Sequence, residues 1–292
     1  MKLGLPDSYS SPIDLPFNRA SLDNHFQIAA PDEEPTTDGV WLILQGNRLL
    51  TTDDKQEPKL PTHESPPLTS ALPPLYIGNW DGRPCRLLSL PKDAEIPARL
   101  HAHQLMGDNP QIPLPLLSLA GVGQMIIHWE RTSQSCGNCG GTLRHMTGEW
   151  GKQCQNCQRQ HYPRVHPCVI GLVIKGDELL LVRKPEWPDG RFGLVAGFVD
   201  FGECLEEAMA REVLEETGIV IDNIRYLGSQ CWPFPSQLMA GFVSDYVSGE
   251  IKLQEDELAD GGWFKLDQLP TVPPQRSIAR YLIDQASSYL SN

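Results

Sequence analysis

The chain has 292 residues, 40% of them hydrophobic and 21% charged. That composition folds, and the length suits two or three domains better than one. Its 37 acidic against 24 basic side chains leave a formal charge of -13, which excludes a general electrostatic affinity for nucleic acid or anionic membrane. Any polyanion must be held by local groups and metal ions.

The first ten residues carry one lysine and no apolar run, so no signal peptide is expected. Residues 1–37, rich in Pro, Asp and Ser, are expected to be irregular. Residues 40–44 and 48–50 read as strands joined across Gln45-Gly46-Asn47. The polar, proline-rich stretch 51–74 reads as a long loop. Residues 76–78 and 85–90 again read as strands around Asp81-Gly82-Arg83-Pro84. The apolar run 112–127 is broken by Pro113, Pro115 and Gln124 and is too short to span a bilayer. It is expected to be loop plus core strand. Residues 1–131 are thus expected to form a supporting, β-rich N-terminal domain without a catalytic motif. With no targeting tail recognisable at the C-terminus, the expected setting is the cytoplasm, with no membrane partner.

Residues 132–163 form a cysteine module. Cys136 and Cys139, then Cys154 and Cys157, are two C-x2-C pairs with fourteen residues between them. Two thiolates at that spacing reach one ion from a tight turn, and two such turns complete a tetrahedral zinc site. Four thiolates leave no ligand position open, so one structural zinc per chain is expected. Cys85, Cys168, Cys204 and Cys231 read as small buried hydrophobes, and His161 as a surface or core histidine.

From residue 164 onward the pattern alternates strands and helices. Residues 169–174 and 179–182 read as strands, 205–217 as a helix ended by Gly218, and 224–232 and 238–246 as strands around a proline-rich loop. Residues 275–290 read as a closing amphipathic helix. The helix at 205–217 places Glu212, Glu215 and Glu216 three and four residues apart, so that they converge on one face. Close carboxylates repel one another, and hard oxygen ligands suit Mg2+ or Mn2+. Arg211 is placed to brace this cluster or the loop before it.

Residues 197–219, GFVDFGECLEEAMAREVLEETGI, fill every fixed position of a known pattern: Gly197, Glu203, Arg211, Glu212, Glu215, Glu216 and Gly218. The segment resembles the Nudix box. The resemblance implies a Nudix α/β/α sandwich around a mixed sheet over 164–292, so that the whole chain is α+β: a β-rich domain, a zinc ribbon and a Nudix hydrolase domain. It also implies hydrolysis of a diphosphate, with Glu212 and Glu216 as metal ligands and Glu215 as ligand or base. The Ala196 carbonyl and Glu257 are implied as further contributors to the metal site.

Downstream, Ser229-Gln230-Cys231-Trp232-Pro233-Phe234-Pro235-Ser236-Gln237 resembles the SQPWPFPxS signature of the NADH pyrophosphatase subgroup. Cys231 stands where the signature has proline, and Gln237 where it has serine, with Ser236 adjacent. Trp232 and Phe234 offer flat faces for a base or nicotinamide; Phe234 could equally serve the core, whereas Trp232, beside turn-forming prolines, is assigned to the site. The resemblance further implies that Gln230, Cys231, Pro233, Pro235, Ser236, Gln237, Phe198, Tyr162, Glu149 and Ala279 contact substrate, and that the protein is a homodimer with shared active sites. The implied activity is cleavage of NAD(H) to NMN(H) and AMP, together with removal of NAD caps from RNA. Two other readings remain: a Nudix hydrolase for ADP-ribose or another nucleoside diphosphate, and a zinc-ribbon RNA-binding protein with an inactive Nudix domain.

Overall fold

The structure is a computed structural model and describes residues 3–54, 57–63, 68–70 and 72–290. They form two compact units. One comprises residues 3–5, 17–165 and 233–236, and the other residues 6–16, 166–232 and 237–290. Among the described residues no helix is long and apolar enough to cross a membrane.

The first unit is built on an eight-stranded sheet. Its strands are β1 (Phe26–Ile28), β2 (Gly39–Gln45), β3 (Arg48–Asp54), β4 (Glu57–Lys59), β5 (Thr62–His63), β6 (Leu75–Trp80), β7 (Arg83–Ser89) and β8 (His101–Gln104). The order β1-β6-β7-β2-β3-β4 is mixed, because β2 and β7 pair in parallel while β6–β7 and β2–β3 are antiparallel. Both faces of β2 are covered. Trp41 and Ile43 join Leu50, Leu88, Leu90 and Leu100 in one cluster, and Leu42 and Leu44 face a helix on the other side. That is why β2 is apolar throughout instead of alternating. The segment expected to be a loop at 51–74 continues β3 and adds β4 and β5; residues 55–56, 64–67 and 71 lie outside the described residues.

The run 112–127 is not a loop and strand but the start of the helix α1 (Leu114–Thr132). Pro113 is its N-cap and Pro115 lies in its first turn, where a missing N–H removes no helical hydrogen bond. Gly121 and Gly123, which weaken a helix in isolation, admit close packing here. A methyl group at Gly123 would sit 2.8 Å from side-chain carbons of both Leu42 and Leu44. The N-terminal stretch is short 3-10 turns plus β1 and not wholly irregular.

The cysteine module adds a three-stranded sheet of β9 (Leu143–His145), β10 (Lys152–Cys154) and β11 (Gln160–His161), in the order β11-β10-β9. It is tied to the end of α1 by a triad of Lys152, Glu130 and His145. Buried Lys152 donates through Nζ to Glu130 Oε2 at 2.8 Å and to the Ser133 carbonyl at 3.1 Å, and His145 Nε2 lies 3.2 Å from Glu130 Oε1. The ammonium also stands 5.5 Å over the Trp129 ring.

The second unit carries a six-stranded mixed sheet: β12 (His166–Lys175), β13 (Glu178–Arg183), β14 (Val195–Phe198), β15 (Val220–Trp232), β16 (Gln237–Ser248) and β17 (Asp260–Lys265). The order is β15-β16-β12-β13-β17, with β14 also on β12, and β12–β16 is the parallel pair. Helices α2 (Leu205–Thr217) and α3 (Ile278–Asp284) cover opposite faces. Gly171 lies under Met209 of α2, whereas Gly241, in register with Ile170, lies under Ile278 and Leu282 of α3. Neighbours one residue apart on a strand point to opposite faces, so the architecture is an α/β/α sandwich. Ala208, Met209 and Val213 enter the core with Val169, Val173 and Phe242, while Leu214 is exposed. The helix expected over 275–290 is shorter. Ser277 caps it, accepting from Arg280 N, and after Asp284 the chain leaves the α-helix for a 3-10 turn at Ala286–Ser288.

Burial works against the Glu130 charge, but the hydrogen bonds from His145 and Lys152 hold its pKa below the ordinary value. Stability from this triad is therefore present above the ordinary carboxylate range and is lost as pH falls through the lowered pKa. Glu130→Gln is expected to destabilise the protein by about 2 kcal/mol at pH 7. The gap to wild type should narrow on acidification, as read by urea unfolding at a series of pH values.

Candidate metal and diphosphate site

In the first unit, the four paired cysteines come together. Their sulfur atoms all lie within 4.8 Å of one another, with Cys136–Cys157 at 3.7 Å and Cys139–Cys154 at 3.5 Å. No cysteine of the chain is in a disulfide. Tetrahedral zinc with Zn–S near 2.3 Å requires sulfur separations of about 3.75 Å, so the donor set fits that ion. The turns are built for thiolates. Gly140 takes φ 72 and donates to the Cys136 carbonyl, and the N–H groups of Asn156 and Cys157 point at Cys154 Sγ at 3.4 and 3.5 Å. The Arg159 N–H is the main influence lowering the Cys157 thiol to about 6. His161, expected to stand apart from the site, places Nε2 3.3 Å from Cys136 Sγ.

In the second unit, β14, the loop after it and α2 assemble a carboxylate cluster around one guanidinium. Arg211 donates to Glu203 Oε1 and Oε2 (2.5 and 2.9 Å), Glu212 Oε1 (2.9 Å), Glu215 Oε2 (3.0 Å) and the Phe198 carbonyl (2.9 Å). It thus braces both the cluster and the loop. Bidentate pairing of this kind fixes orientation as well as charge, and it holds the Glu203 carboxyl down at about 2. The start of α2 is fixed by Glu207, whose Oε2 accepts from Cys204 N at 2.8 Å. Cys204 is exposed at this cap and not buried as expected.

Glu216 is 1% exposed, and neither of its carboxylate oxygens has a hydrogen-bond partner. Burial raises its pKa to about 7 against the pull of Lys184, with repulsion from Glu212 and Glu257 adding to the rise. Burial also pushes Glu212 up, with Glu215 and Glu257 adding to it. Glu212 lies against Gly197, where any side chain would overlap its carboxylate. Mutually repelling, desolvated carboxylates with unused oxygens are what a hard divalent cation satisfies, so these residues fit such an ion. Glu257, exposed in the turn before β17, belongs to the same electrostatic cluster, and Glu215 is its exposed helical member. Ala196 pairs with Ile170 on β14 beside this group.

The remaining predicted residues divide between the units. In the first, Glu149 is exposed on the turn between β9 and β10. Tyr162 is half exposed, its ring edge close to Gly151. Pro233 and Ser236 are buried, Pro235 is exposed, and Phe234 meets Phe17 edge-on at 5.5 Å. In the second, Phe198 is half exposed and Ala279 is buried in the first turn of α3. Trp232 and Gln237 face each other across the β15–β16 hairpin, both partly buried. Cys231 is partly buried, and burial raises its thiol to about 11. Gln230 is fully buried with its amide engaged: Nε2 donates to the Pro16 and Arg276 carbonyls, and Oε1 accepts from Ile278 N at 2.7 Å. That makes it a brace between β15 and α3. Three neighbours of the cluster were not singled out from the sequence. Glu203 was visible only as a spacing position. Lys184, just after β13 and close enough to act on Glu216, and Cys168, on β12 and close enough to feel Glu212, carry no motif signal.

A family model described as a NUDIX domain matches residues 164–285. Another, described as an NADH pyrophosphatase-like rudimentary NUDIX domain, matches residues 38–129. The chain is 45% identical over 212 residues to the NAD-capped RNA hydrolase NudC of Pseudomonas aeruginosa, covering 71% of this chain and 74% of that one. It is 44% identical to the protein of the same name from Pseudomonas fluorescens, over 71% and 75%. A Nudix hydrolase structure from Nitrosomonas europaea aligns with TM-score 0.46 and 23% identity over 53% of this chain and 93% of that one.

Two outcomes follow from the geometry. Cys154→Ser should lose bound zinc and thermal stability together, measured by metal analysis and calorimetry on the same sample. Glu216, with its pKa raised from 4.5 to about 7, opposes folding increasingly as pH rises between those values in metal-free protein. Glu216→Gln is therefore expected to stabilise metal-free protein by about 1–3 kcal/mol above pH 7. The gain should fade below pH 4.5, and adding Mg2+ should stabilise wild type more than the variant.

Proposed function

The chain belongs to the Nudix hydrolase family, alongside the NudC proteins, and on that premise we propose that it hydrolyses the pyrophosphate bond of NAD(H) to NMN(H) and AMP and removes NAD caps from RNA. The observation that carries the chemistry is the buried, unpartnered Glu216 carboxylate packed with Glu212 and Glu257 behind an Arg211 brace. The choice of substrate is supported by the similarity to the NudC proteins and by the match to the NADH pyrophosphatase-like domain at 38–129.

Glu212, Glu216 and Glu257, with the Ala196 carbonyl, would hold Mg2+ or Mn2+. When bound, such an ion supplies positive charge against the diphosphate oxygens and makes a nearby water more acidic. The chain's own groups do the rest. Arg211 keeps the glutamates oriented, so little rearrangement is needed when substrate arrives. Glu215, at the exposed end of the cluster, is placed to take the proton of the attacking water. Water adds across the P–O–P bridge, one phosphorus receiving its oxygen and the other leaving with the bridging oxygen. Trp232 supplies an aromatic face for the nicotinamide or base, with Phe198 as a further contact. The four cysteines hold a structural zinc, and the protein works as a cytoplasmic homodimer with shared sites, as its family resemblance implies.

Initial rates on NADH, NAD+, ADP-ribose and NAD-capped RNA under one metal condition test the reading. NADH or capped RNA should exceed ADP-ribose in kcat/KM, and Glu216→Gln should lower kcat at least about a hundredfold while the protein stays folded. A preference for ADP-ribose, or full activity of that variant, would sink it.

A further inference from the structure

The four cysteine sulfurs of the first unit do not meet their hydrogen-bond donors in the same way. Cys154 Sγ accepts from the backbone N–H groups of Asn156 and Cys157, at 3.4 and 3.5 Å. The Gly141 N–H serves Cys139, and the Arg159 N–H serves Cys157. Cys136 differs. Its own N–H and carbonyl are engaged with Gly141 and Gly140 in the turn. Among the described residues, the nitrogen that its sulfur meets belongs to a side chain, His161 Nε2 at 3.3 Å. The imidazole has a fixed base. His161 stands on β11 in register with Lys152 on β10, and Lys152 is buried and anchored to Glu130. Burial makes the contact matter. Cys139 and Cys157 are exposed and can draw on water, whereas Cys136 and Cys154 are buried, and a buried anion without a donor is costly. Cys154 has two backbone donors; Cys136 has the histidine.

We propose that His161 donates its Nε2–H to the Cys136 thiolate and so strengthens the hold of the ribbon on zinc, as an outer partner of the site and not a fifth ligand. This role rests on the reading of the four cysteines as a structural zinc site. Two observations fix it. The four sulfurs lie within 4.8 Å of one another, a set complete for a tetrahedral ion, while His161 reaches one corner of it. A metal-bound thiolate has no hydrogen to give, so it can only accept from the ring nitrogen, which places the imidazole proton on Nε2. Such a bond draws charge from the sulfur and fixes its orientation toward the metal, and partners of this kind are worth much in metal affinity.

The test uses the full-length protein loaded with zinc or with cobalt(II). His161→Phe keeps a ring and has no donor, and His161→Gln keeps an N–H at a similar reach. In competition with a chromophoric chelator, His161→Phe should bind zinc at least about tenfold more weakly than wild type, and His161→Gln should recover most of the loss. With cobalt(II), the thiolate-to-metal charge-transfer bands should move to lower energy in His161→Phe, because the sulfur lone pairs are no longer stabilised. The d–d bands should keep their four-sulfur pattern. His161→Ala gives a second donor-free variant should the phenylalanine disturb folding. With wild type binding metal, unchanged affinity and bands in the donor-free variants would overturn this role alone. So would equal losses in His161→Phe and His161→Gln, which assign the residue to packing, or altered d–d bands, which make it a ligand. A wild-type protein that takes up neither metal would overturn the zinc reading and this role with it.

Discussion

A carboxylate taken out of water with no donor to meet it is among the most unfavourable groups a fold can contain, and the second unit is arranged around one, Glu216. Much else there can be read as support for that placement. Gly197 is bare so that Glu212 can lie flat against β14. Arg211 collects the charges that would otherwise push the helix and loop apart. Lys184 offers partial relief from the side of β13. The cluster is poised in an electrically unfavourable state which a divalent cation would relieve, and that would tie metal affinity to the stability of the fold.

The first unit meets a different constraint. A small three-stranded ribbon buries little apolar surface: its core cluster is Cys136, Leu143 and Cys154. It relies on sulfur donors drawn together by backbone N–H groups, and on Lys152 and His145 reaching Glu130 on α1. Neither unit is held by hydrophobic burial alone.

What the sequence disclosed follows from how local each signal was. The helix at Leu205–Thr217 with its glycine stop was legible to the residue, because cap, periodicity and terminator lie within one short segment. The cysteine pairs were legible for the same reason. Helix α1 was not, since Pro115, Gly121 and Gly123 argue against a helix until their partners are known. Pro115 sits where a proline is harmless, and Gly123 is small because Leu42 and Leu44, eighty residues away, need the space. Gln230 shows the same limit at the level of single residues. Within the signature it reads as a contact for ligand, yet its amide is consumed by Pro16, Arg276 and Ile278, distant segments that no local pattern names. Lys184 and Cys168 went unremarked because proximity to the cluster arises only when β12 and β13 are laid beside α2.

Helix α1 lies in a region that matches a rudimentary version of the same domain type as the one containing α2. Its nineteen residues hold a single acidic group, Glu130, and that one is neutralised by Lys152. In α2, thirteen residues hold five glutamates. One polypeptide therefore carries its own internal control: a sheet with a packed helix that is stable without an acidic face, and a second that bears one. The architecture does not demand the glutamates. Were α2 to drift toward the composition of α1, the protein would gain robustness and forfeit the chemistry proposed for its glutamates, and the first region displays what that end point looks like.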